Sequence, residues 1–134
     1  MKRKRKIRRR AITLIEMIVV MLLIAIITGS VAYNYNESLN EGKAFKTREG
    51  IQRIKTIVTL KMAEDPGNES AIVGNWEEWV KKSPLIQNPK EALKDGWGGK
   101  YNVSIQKDEN GEDVVEVHSA AYDRYCERRG KKNQ

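Results

Sequence analysis

The chain has 134 residues, a length that favours one small domain, and a net charge of +7. Eight cations, Lys2, Arg3, Lys4, Arg5, Lys6, Arg8, Arg9 and Arg10, stand among the first eleven residues without an acid, and removing those eight from +7 leaves −1. The folded part therefore has no excess positive charge for a nucleic-acid face, and the lone Cys126 excludes both an internal disulfide and a cysteine-built zinc site.

In chain order, the basic segment 1–11 comes first. Behind it, Ile12 to Ala32 is a 21-residue apolar run broken only by Thr13, Glu16, Thr28, Gly29 and Ser30. As a helix it would cover roughly 30 Å, the thickness of a bilayer's hydrocarbon core. A cleaved secretory signal fits less well, because its apolar region is usually about 7 to 15 residues long. The flanking cations predict a single pass with residues 1–11 cytoplasmic and everything after Tyr33 outside. Glu16 is the anomaly in this run, since an acid near the centre of a membrane helix costs on the order of 2.5 kcal/mol or more. A cut before Ile12 would create an α-amine next to the apolar run. Each subunit would then carry both halves of an ion pair, and a neighbour in the wrong stagger would leave a charge bare.

The stretch "SLNEGKAFKTREGIQRIKTIVTLKMAED" contains no proline, and Ala44, Ile51, Ile54, Val58 and Met62 share one helical face. The helix is expected to leave the membrane, continue through 34–65 and stop at Pro66-Gly67. In "NWEEWVKKS" Trp76, Trp79 and Val80 predict a short helix whose aromatic residues pack into a core. In "KYNVSIQ" Tyr101, Val103 and Ile105 alternate with polar residues, "KDENGED" supplies an Asn110-Gly111 turn, and "VVEVHS" returns as a second strand. The expected fold is α+β: a long N-terminal helix, transmembrane first and amphipathic later, packed on a small antiparallel sheet in a head spanning 66–123. The tail 124–134, "RYCERRGKKNQ", reads as a frayed polar terminus.

Catalytic chemistry finds no purchase. His118 is the only histidine and has no nucleophile motif or zinc-spaced partner, while "GWGGK" lacks the spacing of a phosphate loop. "DENGED" does not match the twelve-residue calcium loop and is expected to be a solvated turn. The chain is not expected to be an enzyme.

A basic leader, a small residue and then a hydrophobic-T-L-I-E-hydrophobic string resembles the class III signal peptide of type IV pilins and type II secretion pseudopilins. The resemblance implies that prepilin peptidase cuts between Ala11 and Ile12 and methylates the new amine, and that Glu16 directs assembly as the fifth residue of the mature chain. The family usually has glycine before the cut and phenylalanine after it. "LKDGWGGKYNVSI" is similar to the "DPWGNPY" box of the major pseudopilin at Asp95, Trp97, Gly98 and Tyr101, and "EVHSAAYD" is similar to "DLYSYGAD" at Ser119 and Asp123. Major pseudopilins bind calcium in the loop that follows; here Arg124 replaces the next glycine, and Asp123 and Glu116 are the candidate ligands that remain.

The resemblance implies a structural subunit of a periplasmic pseudopilus of a type II protein secretion system, anchored in the inner membrane and polymerised through its N-terminal helix. Its implied partners are other copies of the chain, prepilin peptidase, the inner-membrane secretion platform and minor pseudopilins. The alternatives are a minor type IV pilin or DNA-uptake pseudopilin, or a membrane-anchored binding module that never polymerises.

Overall fold

The computed structural model describes residues 11–132. The leader up to Arg10 and the last two residues lie outside that description. The element order is α1 (Leu14–Glu64), α2 (Glu69–Gly74), α3 (Trp76–Lys82), α4 (Pro89–Ala92), β1 (Asn102–Lys107), β2 (Asp113–His118) and α5 (Ala120–Lys132). The chain divides into two units, one reaching to Ser38 and the other starting at Leu39.

In the first unit the apolar run forms the start of α1, and every residue from Ala11 to Ser38 is exposed. The absence of proline lets the backbone ladder run unbroken, and Thr28 turns its hydroxyl back onto the Ile24 carbonyl at 2.7 Å. That bond lets a polar residue sit in an apolar segment without an idle donor. The helix is long and apolar enough to cross a membrane, which satisfies its own backbone groups where water cannot.

In the second unit α1 buries Ala44, Thr47, Ile54, Ile57 and Val58, with Ile51 and Met62 half-buried beside the core. This is the amphipathic face expected from the spacing, with Thr47 and Ile57 added to it. The helix stops at Glu64, ahead of Pro66. Trp76 and Val80 of α3 enter the same core, and Trp79 lies under the ammonium groups of Lys61 and Lys82, 5.0 and 6.0 Å from its ring.

The two strands form an antiparallel pair in which Val103 faces Val117 and Ile105 faces Val115. Val115 and Val117 are buried against Ile54, Ile57 and Val58, so one sheet face closes on one helix face and the fold is α+β. At the turn Asp108 and Glu112 are bonded across the chain and Gly111 has φ 79°, a left-handed conformation that glycine adopts without a Cβ penalty.

The described part of the tail, 124–132, departs from the expected frayed terminus, because α5 is helical through Lys132. Buried Ser119 caps it, its Oγ accepting from the Tyr122 amide at 3.3 Å, and Asp123 lies in the first turn where the helix dipole favours an anion. Tyr125 packs on Trp97 with ring centroids 5.7 Å apart, and Arg129 donates to the Tyr125 hydroxyl and to Glu41 at 2.9 and 2.8 Å. These partners are distant in sequence, so composition alone could not reveal them.

Candidate assembly site

Thr13 is the last non-helical residue before α1, and Glu16 is the third helical one. The Glu16 Oε2 accepts from the Thr13 backbone amide at 3.2 Å and from its hydroxyl at 3.4 Å. Thr13-Leu14-Ile15-Glu16 therefore makes the return half of a capping box, in which the acid reaches back to satisfy the amide of the residue before the helix. The sequence expectation treated Glu16 as an anion with no partner until proteolysis supplies one; the structure gives it a partner already, Thr13. The signature T-x-x-E ahead of an apolar run was legible and points to that residue.

Ala11 and Ile12 precede the helix and are exposed. An amine created at Ile12 would lie one residue from the amide that Glu16 already binds. The geometry thus brings three of the expected site residues, Ala11, Ile12 and Glu16, into one short segment.

Glu116 and Asp123 come together differently. Glu116 Oε2 is 2.9 Å from His118 Nε2, and Asp123 Oδ2 is 3.9 Å from His118 Nδ1, so the two carboxylates face different nitrogens of one exposed imidazole. Calcium takes six to eight oxygens. No group of three His, Cys, Asp or Glu side chains that could hold a metal occurs among the described residues, and this pair does not fit a calcium cradle.

A second constellation holds the head together. Asp95 is buried, its Oδ1 accepting from the amides of Trp97 and Gly99 at 2.9 and 2.8 Å and its Oδ2 from the Ser119 hydroxyl at 2.7 Å. The neighbouring Gly96 amide donates to the Thr47 Oγ1 at 2.8 Å, and Thr47 in turn donates to the Lys43 carbonyl at 2.8 Å. Gly96 lies so close to α1 that a Cβ there would come within 2.2 Å of the Lys43 carbonyl oxygen. Thus the "DGWGG" loop is fastened to α1 by Thr47 and to the start of α5 by Ser119.

Tyr101, which follows this loop, is buried with its hydroxyl over Gly50, and burial together with the nearby Asp95 pushes its pKa up to about 12. The unfolded phenol ionises near pH 10, so the unfolded state releases its proton first. Tyr101 therefore contributes fully below pH 10, and its contribution is lost as the pH rises toward 12. In chemical denaturation, wild type is expected to lose stability more steeply than Tyr101→Phe between pH 10 and 12.

Residues 6–32 match the family described as "Prokaryotic N-terminal methylation motif". The chain is 34% identical over 112 residues to a Chlamydia muridarum (strain MoPn / Nigg) protein named "Putative outer membrane protein", covering 84% of this chain and 89% of that one. A Chlamydia trachomatis serovar D protein of the same name is 33% identical over 113 residues, covering 84% and 90%, and a similarly named Chlamydia pneumoniae protein is 32% identical over 112, covering 84% and 89%. The chain belongs to the family that these chlamydial proteins form. No solved structure matches it.

Proposed function

We propose that the chain is a structural subunit of a periplasmic pseudopilus of a type II protein secretion system, and that it resembles the major pseudopilin most. The observation that carries this reading is the apolar first part of α1, which starts two residues after Ile12, carries an acid in its first turn and is uncovered at every side chain up to Ser38. A helix face exposed to lipid can exchange that environment for sister helices without losing apolar burial. Such a subunit waits in the inner membrane with its leader cytoplasmic and its head periplasmic, then polymerises after the cut at Ala11-Ile12.

The Asp95–Ser119 bond supports the finer reading, because it joins in space the two separate boxes that resemble the major pseudopilin. The chlamydial relatives are named for the outer membrane. An inner-membrane helix is the better match to this chain, since bacterial outer-membrane spans are characteristically closed β-barrels. A filament rising from the inner membrane would bring its far end toward the outer one.

Mass spectrometry of the protein extracted from membranes tests the processing step. The expected chain begins at Ile12 with an N-methyl group. Recovery of filaments whose subunits retain the leader would overturn the reading. Loss of secretion on deletion would favour the secretion assignment, whereas loss of surface pili or of transformation would favour the pilus or DNA-uptake alternative.

A further inference from the structure

Charge in the folded part is segregated rather than excessive. The tip of the β1–β2 hairpin holds Asp108, Glu109, Glu112 and Asp113 against one lysine, Lys107. All four acids are exposed, and none of them is in an ion pair among the described residues. On α5, Arg124, Arg128 and Lys131 follow one another at spacings of four and three, which places them on one helical face. They too are exposed and outside any described ion pair, whereas Arg129, on another face, is engaged by Glu41.

Local effects do not account for both patches. The helix dipole favours cations in the last turn of α5, but Arg124 stands near its start, where the dipole disfavours it. Like charges four apart on a helix, and four acids around one turn, each repel by a few tenths of a kcal/mol. Neither patch meets the other within one chain. α5 lies along the Glu41 to Arg48 stretch of α1, through Arg129 on Glu41 and the cleft that Ala44 and Arg48 share with Tyr122 and Cys126. The hairpin instead shares its core with Ile54, Ile57 and Val58 and packs on α2. The centres of those two stations lie about 17 Å apart along α1, at about 1.5 Å per residue.

We infer that the basic face of α5 docks the acidic hairpin tip of a second copy of this chain, a head-to-tail contact between successive subunits. Complementary patches at different places on one molecule make a heterologous interface, which repeats into an open filament instead of closing as a dimer. The inference rests on the filament reading and adds the contact that sets the spacing of the heads.

Cysteine cross-linking in the full chain, in its own membranes, tests it. In a Cys126→Ser background, Asn110→Cys at the hairpin and Glu127→Cys beside the basic face are combined, and Met17→Cys is placed separately in the apolar helix as a reporter of helix assembly. The double-cysteine chain is expected to oxidise into a ladder of dimers, trimers and longer species. Reversing Arg124, Arg128 and Lys131 to glutamate should reduce the ladder roughly tenfold through like-charge repulsion. Reversing Asp108, Glu109 and Glu112 to lysine in the same chain should restore it.

A single dimer band would mean a two-fold contact and overturn the inference. A ladder that the double reversal fails to restore would assign the basic face to another partner, such as anionic lipid, and overturn it equally. If Met17→Cys adducts form while the head ladder does not, the head contact alone is wrong. If neither forms, the filament reading fails with it.

Discussion

Glu16→Gln is expected to yield a chain that inserts in the membrane, keeps its helix and does not polymerise. The substitution separates the hydrogen-bonding role that the structure shows from the charge role that is proposed. As an acceptor for the Thr13 amide, Glu16 satisfies one donor at the start of α1, and glutamine serves in that position almost as well. As an anion, it is the only charge in the apolar run and the only group there able to neutralise an amine at Ile12. Glutamine keeps the first role and removes the second. A buried ammonium left without its counterion costs several kcal/mol, enough to abolish association at each subunit step. Circular dichroism and sedimentation of detergent-extracted membranes would report helix content and assembly separately. If Glu16→Gln assembled like the wild type while Glu16→Ala did not, the cap and not the charge would be the operative feature.

The second large effect is expected at Asp95. Asp95→Ala removes the acceptor for two backbone amides and a buried hydroxyl at once. Each unsatisfied buried group costs about 1 to 3 kcal/mol, so the head should lose roughly 3 to 5 kcal/mol, a large fraction of the stability of a small domain. Ser119→Ala should cost less, because it removes one bond to Asp95 and the cap of α5 but leaves the loop amides paired. Gly96→Val approaches the same loop from the other side, forcing side-chain atoms into the Lys43 carbonyl and lifting the loop off α1. Thermal unfolding followed by tryptophan fluorescence would rank the three. An Asp95→Ala melting curve that overlays the wild type would remove Asp95 from its place as the hub of the head.

Much of the architecture was legible because it is written locally. Pro66 marks where α1 must stop, Asn110-Gly111 marks a tight hairpin, and the alternation of Val103 and Ile105 faces a sheet toward a core. The unread parts depend on pairs far apart in the chain. Thr47 looks like a polar interruption of the apolar face until Gly96, 49 residues away, donates to it. The α5 helix looks like a solvated tail until Arg129 meets Glu41, 88 residues away, and Tyr125 meets Trp97. The capping box belongs to the other kind of omission. Its four residues are adjacent, and the T-x-x-E spacing alone announces the bond between Thr13 and Glu16.

The position of that box also bears on how the leader could be removed. The helix starts at Leu14, so the peptide bond linking Ala11 to Ile12 lies in non-helical backbone. A peptide bond outside a helix can be cut without first breaking that helix's backbone hydrogen bonds. On the proposed processing between Ala11 and Ile12, the bond between Thr13 and Glu16 pins the first turn just downstream and leaves the cut outside the helix. Removal of the leader at that bond would melt none of α1.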